Sequence, residues 1–148
     1  MSDIWTEFSN VIKTRVLARE DFTGEFYTDI VPSDTSLPYA IITESDLNNW
    51  MTYSNLSAGE NIYFRVVLTN DIRNGGIPTL KTLTGEVVKA LHLKEYSGDS
   101  FVVESSKRLK WSKPFTIESN EMQWKQYVDF SVRIRYKDGS DYYTDFQI

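Results

Sequence analysis

Between Val128 and Lys137 the chain alternates without a break, with Val128, Phe130, Val132, Ile134 and Tyr136 on one side and Asp129, Ser131, Arg133, Arg135 and Lys137 on the other. Successive strand side chains point to opposite faces, so this segment predicts a strand with one buried and one wet face. Ile62, Phe64, Val66 and Leu68 alternate with Tyr63, Arg65, Val67 and Thr69 in the same way. The chain must therefore build a sheet with an apolar face, and something must cover it. Leu80, Leu83, Val87 and Leu91, widened by Val88, recur at helical spacing after Pro78 and Thr79. They predict a helix over about residues 79–93 that lays its stripe on the sheet. Gly85 weakens that helix by about 1 kcal/mol relative to Ala, and close packing is the expected reason for it.

The remaining elements follow the same logic. Ile4, Phe8, Val11, Ile12 and Val16 predict a first helix over about residues 3–18, with Ser2 or Asp3 placed to cap it. Phe22, Phe26, Tyr27 and Ile30 stand among polar residues, and Pro32 to Ser36 read as a loop. The run Tyr39-Ala40-Ile41-Ile42-Thr43 predicts a strand. Residues 46–61 read as a long hairpin connection or an arm, 70–76 as a loop and 112–121 as another loop. Phe101 to Trp111 predicts a strand with Phe101, Val103, Leu109 and Trp111 on one side and Val102, Glu104, Arg108 and Lys110 on the other. Asp138-Gly139 signals a turn, after which Tyr142 to Ile148 form either a last strand or a tail. The fold class is thus α+β: one domain over 1–148, a mainly antiparallel sheet packed by two helices. At this length folding can bury roughly 70% of the unfolded chain's surface, so a core needs no staples.

Composition narrows the chemistry. The chain has no cysteine, which excludes disulfides, thiolate metal sites and a cysteine nucleophile, and fits assembly inside a cell. Met1 to Trp5 lack a basic, then apolar, leader pattern, and no apolar run has bilayer length, so a soluble protein without membrane contact is expected. Aromatics make up 14% of the residues, a weight that suits interfaces as well as cores. Residues 1–60 hold ten acids against three bases, and 61–148 eleven against thirteen. That asymmetry argues against a general nucleic-acid binder and allows two faces with different electrostatic partners.

No catalytic set, cofactor motif or metal-ligand cluster stands out. His92 is the single histidine, at the end of the second helix, where a cation suits the helix dipole and a surface or capping role is expected. Gly75 to Thr82 lack Walker spacing, and Pro78 removes an N–H that a phosphate loop would use. Two of the 21 acids could converge on folding, as a small carboxylate hydrolase requires, but nothing marks out a pair. Lys107, Arg108, Lys110 and Lys113 surround Trp111, and Arg133, Arg135 and Lys137 share a strand face. Such bases contact phosphate or an acidic protein, or pair with acids on a solvated sheet face.

The N-terminal helix, the strand Leu37-Pro38-Tyr39-Ala40-Ile41-Ile42, the alternating strand Ile62 to Leu68, the helix ending Lys89-Ala90-Leu91-His92 and the long closing strand together resemble the tail-completion or tail-terminator proteins of long-tailed bacteriophages. The likeness covers nearly the whole chain, and Thr116 to Gln126 is longer than that layout requires. It implies a virion protein without enzymatic activity or cofactor, assembled in the host cytoplasm into a homohexameric ring at the head-tail junction. Such a ring caps the tail tube, meets the head connector, and lets DNA pass its lumen without specific binding, with the acidic first half as a candidate lining. Another head-tail connector or tube-associated protein, or more distantly a carboxylate hydrolase, fits the same layout.

A closed ring needs two different patches on each subunit. Trp50, Met51 and Tyr53 in the 46–61 segment, Trp111, Arg133 and Arg135 on the later strands, and Tyr142, Tyr143 and Phe146 near the C-terminus are the candidate interface residues. A terminal strand could also add to a neighbour's sheet edge through main-chain hydrogen bonds.

Overall fold

The computed structural model describes residues 4–33, 35–51, 57–117 and 120–137, with 46–51, 57, 117 and 120–122 described by their backbone alone. Helix α1 spans Trp5–Leu17 and buries Trp5, Phe8, Ser9, Ile12 and Val16. Ile4 occupies the N-cap position with no side-chain cap bond, and the expected cap residues Ser2 and Asp3 lie outside the described residues. Ile4 is itself core, 1% exposed.

Strands β1 (Glu25–Thr28), β2 (Tyr39–Met51) and β3 (Ser57–Asp71) follow. The segment expected to be a connection or arm is thus mostly strand: β2 pairs β3 from Tyr39↔Thr69 out to Met51↔Ser57. The expected loop at 70–76 is shorter. β3 runs to Asp71, a 3-10 turn covers Ile72–Asn74, and helix α2 occupies Gly76–Leu91 rather than 79–93. Asp71 holds the turn, its Oδ1 accepting from the Arg73 and Asn74 N–H groups at 3.1 Å each. Gly75 precedes α2 with φ +88°, and a Cβ there would lie 2.0 Å from Thr79 Oγ1, so conformation and space both demand glycine.

Strands β4 (Phe101–Trp111), β5 (Phe115–Ile117) and β6 (Asn120–Tyr136) complete the described elements. The loop expected over 112–121 is a β5–β6 hairpin, registered Phe115↔Lys125 and Thr116↔Trp124. The six-stranded sheet has the order β1-β2-β3-β6-β4, with β5 also on β6. Its described pairs are antiparallel except β1 with β2. The α+β class holds.

Both helices pack on one face. Ile62, Phe64, Val66 and Leu68 of β3 and Val128, Phe130, Val132, Ile134 and Tyr136 of β6 are buried beneath them, as their alternation requires. Phe8 meets Phe64 edge-on at 5.4 Å and Phe101 at 5.8 Å, and Phe64 stacks on Phe130 at 5.3 Å. Burying each such ring stabilises the fold by about 1.5–3 kcal/mol.

β4 departs from simple alternation. Register shifts between Val103 and Ser105 and between Arg108 and Lys110 insert bulges at Glu104 and Leu109. Phe101 and Val103 are buried, then Ser106, while Leu109 is 52% exposed instead of sharing their face. The chain caps the outer edge of this strand with itself: Leu93 N–H donates to Ser106 O, Val103 N–H to Tyr96 O, and Arg108 N–H to His92 Nδ1. His92 therefore caps β4 through a ring nitrogen as well as ending α2.

Candidate interaction surface

The face of the sheet opposite the helices carries a built set of side chains. Across it runs the register row Tyr27↔Ile41↔Val67↔Tyr127, with Tyr39↔Thr69↔Lys125↔Phe115 beside it. Tyr27 packs edge-on to Tyr39 at 6.2 Å and Phe115 edge-on to Tyr127 at 6.3 Å. Tyr27, Tyr39, Ile41, Val67 and Tyr127 are half-buried and Phe115 is exposed, so an apolar band crosses the sheet with none of the described helices over it.

Charged rows border the band. Arg65 donates to Asp129 through Nε at 2.8 Å and through Nη2 at 3.1 Å, and lies 3.8 Å from the Tyr127 ring centre. The bond to Asp129 outweighs desolvation and raises the guanidinium pKa above its ordinary value. Lys110 sits 5.6 Å from the same ring, and Lys125 Nζ donates to Thr69 Oγ1 at 2.9 Å. Arg133 and Arg135 both reach Glu104, at 3.4 Å each, because the bulge aims that carboxylate between them. On this half of the face Arg65, Lys107, Lys110, Lys125, Arg133 and Arg135 stand against Glu104 and Asp129. The arrangement suits contact with an acidic, partly apolar surface.

The other candidate residues lie elsewhere. Trp111 is on the helix side, opposite Val128, 38% exposed, with Arg108 stacked 5.4 Å from its ring. Trp50 and Met51 lie at the far end of β2, where β2 pairs only with β3, and their side chains are outside the description. Tyr53, Tyr142, Tyr143 and Phe146 are outside the described residues altogether. The structure thus joins Arg133 and Arg135 on one surface and separates Trp111 from them. The apolar band itself was not recognised from the sequence. Its signal was the pair Ile41 and Val67, apolar residues at outward positions of otherwise alternating strands.

An open cleft of about 780 Å³ between α1 and the 96–100 segment is lined by Glu7, Arg15, Asp99 and Lys137 among others. Its carboxylate Glu7 is engaged structurally, accepting from Ser100 N–H at 2.9 Å and from Ser100 Oγ at 2.8 Å. Arg15 donates to Ala90 O at 3.1 Å and covers the Tyr96 ring. Among the described residues, no cluster of three or more metal-ligating side chains is present and no helix is long and apolar enough to cross a membrane. Glu86 is buried on α2 and held by Arg19 at 3.3 Å and Lys89 at 3.4 Å, an ion cluster joining the helix to the chain after α1.

No protein-family model and no curated protein match the chain. Solved structures do share its fold. A chain from the virion of a native gene transfer agent particle is similar over 91% of this chain and 99% of its own length, with a TM-score of 0.74 and 14% identity. A second solved protein aligns with 90% of this chain and 93% of its own, with a TM-score of 0.52 and 12% identity. At these identities the likeness establishes a shared fold.

Proposed function

We propose that the protein is a structural component of a phage or phage-like virion, and within it a tail terminator: a ring, of six copies, that caps the completed tail tube and joins it to the head connector. The observation that carries this reading is the match of the fold to a chain of a gene transfer agent virion over 91% of this chain and 99% of that one. The resemblance of the element order to tail-completion proteins supports the finer reading, a place at the head-tail junction. The helix-free face, with its apolar band and basic border, is one of the two patches that a closing ring requires. The far end of the β2–β3 hairpin, bearing Trp50 and Met51, is the candidate for the other. The role needs contact and no catalysis.

The test is stoichiometry in purified particles. Quantitative mass spectrometry against a tail-tube or head standard should count six copies per particle. A count of twelve reassigns the protein to another connector, and absence from particles removes the virion reading altogether.

A further inference from the structure

The two ends of the sheet carry opposite charge. From Glu20 to Phe64 the sequence holds eight acids and no lysine, arginine or histidine. The start of this stretch forms one edge of the molecule, because β1 is the terminal strand and no strand lies beyond it among the described residues. Glu20, Asp21 and Glu25 are exposed there with no ion-pair partner among the described residues, beside the apolar Leu17 and Ile30, 44% and 78% exposed. Arg19, the base next to them, is turned to Glu86 at 3.3 Å, and Asp29 accepts from Trp5 Nε1 at 3.0 Å. Beyond Ile42 the outer edge of β2 is likewise without a strand among the described residues, so this acidic edge continues toward Met51 at the far end of the hairpin.

At the other end of the sheet, Lys107 to Phe115 hold four bases and no acid. Lys107, Arg108, Lys110 and Lys113 are exposed, again with no ion-pair partner among the described residues. Leu109, Trp111 and Phe115 stand exposed between them. The chain's residues 92–98 cover β4 only as far as Arg108, so this edge is open from Leu109 onward among the described residues. The register sets the two edges level. One row runs Glu25↔Tyr39↔Thr69↔Lys125↔Phe115 and another Thr28↔Ile42↔Val66↔Val128↔Trp111. Each row begins at the acidic edge and ends at the basic one, four strand spacings or about 19 Å away. Two copies set side by side in the same orientation therefore bring acid against base and apolar against apolar without sliding, whereas like edges repel.

We propose that a second copy of this chain docks its acidic β1 edge on the basic Lys107–Phe115 edge of the first, in a head-to-tail contact that repeats from copy to copy. A contact between two different patches either closes into a ring or runs on as a filament. Lys107 and Lys110 also belong to the basic border of the helix-free face, so that border gains a counterpart of opposite sign. The contact deepens the ring reading and rests on it for the number of copies at which the series closes. Opposite charges fix which edges meet and speed the encounter, and the facing apolar side chains leave water together.

The natural absence of cysteine makes the test direct. Ile30→Cys is placed in one full-length chain and Leu109→Cys in another, which leaves every charge as it is, and an equimolar mixture is treated with a mild oxidant at low salt. Disulfide-linked heterodimers should form about tenfold faster than in a mixture of Ile30→Cys with Lys81→Cys, a substitution on the exposed side of α2. At about 1 M salt, where the screening length falls to about 3 Å, most of that gain should disappear. Adding Glu20→Lys and Glu25→Lys to the first chain should abolish the gain, and adding Lys110→Glu and Lys113→Glu to the second as well should bring it back. A rate no greater than that of the Lys81 control, or one indifferent to the charge reversals, overturns the proposal. Faster disulfides among Ile30→Cys chains alone overturn it too, since they mark a symmetric contact. A particle count other than six would change the ring and leave this result standing. A count of six without the preferred cross-link would overturn the edge contact alone.

Discussion

Arg65 and Asp129 face each other across β3 and β6 and meet in two parallel hydrogen bonds, 2.8 and 3.1 Å long, over the ring of Tyr127. A guanidinium makes both bonds and the stacking contact at once, whereas an ammonium offers a point charge. Arg65→Lys should therefore lower stability in spite of keeping the charge. The two side chains are 42% and 23% exposed, so water and salt screen the pair and the loss should be about 0.5–1 kcal/mol. Chemical denaturation of the single variants and of Arg65→Lys with Asp129→Asn checks it, since coupling near zero would show that the pair is ornamental.

Tyr96 supplies a pH dependence. Its phenol is buried beside Ser106 Oγ at 3.0 Å, and burial pushes its pKa up from 10.0 to about 12. The unfolded chain ionises this group near pH 10 while the folded chain holds the proton. Stability from Tyr96 is thus fully present below pH 10 and is lost between about pH 10 and 12, to the extent of roughly 2–3 kcal/mol. Tyr96→Phe should be less stable at neutral pH, where Ser106 loses its partner, and should decline less steeply in that window. Parallel curves for the two proteins would contradict the assignment.

Gly85 was expected to mark close packing, yet a Cβ there would lie 4.0 Å from the far edge of the Trp111 ring, an ordinary contact. The helix position is compatible with alanine. Gly85→Ala should raise stability by about 0.5–1 kcal/mol by restricting the unfolded chain. A drop in melting temperature would mean that Trp111 sits closer to α2 than described.

Arg133 and Arg135 are shared by Glu104, so reversing both charges disturbs the fold locally as well as the face globally. Arg133→Glu with Arg135→Glu should cost about 1 kcal/mol of stability through like charges around Glu104 and should weaken head-tail joining. Adding Glu104→Lys restores local pairing without restoring the basic face. If joining depends on the face, the triple variant regains stability and still joins poorly. Recovery of joining would reduce these arginines to a structural role.

The parts legible in the sequence were those where one period governs a whole segment. The alternation in β3 and β6 and the stripe of α2 each identified the apolar buried face, though Thr69 of β3 and Thr84, Glu86 and Ala90 of α2 are buried as well. β1 was missed because a four-residue parallel edge strand with only Phe26 buried has no alternation long enough to read. Bulges at Glu104 and Leu109 broke the phase of β4, and no local sequence signal announces a bulge. The hairpin of β5 with the start of β6 looked like a loop because β5 is three residues long, too short for an alternation to show. Of the candidate surface, the basic border was visible in Arg133 and Arg135, while the band depends on which strands become neighbours, and only the sheet order β1-β2-β3-β6 places Tyr27, Ile41, Val67 and Tyr127 in one row.

We propose that this chain terminates and joins the tail of a virion. Electron microscopy of lysates from the particle-producing genome carrying a stop codon at Trp5 tests it most directly. Full heads should lie beside unjoined tails of abnormal or ragged length, restored to joined particles when the intact chain is supplied in trans. Normal joined virions in the absence of the protein would contradict it.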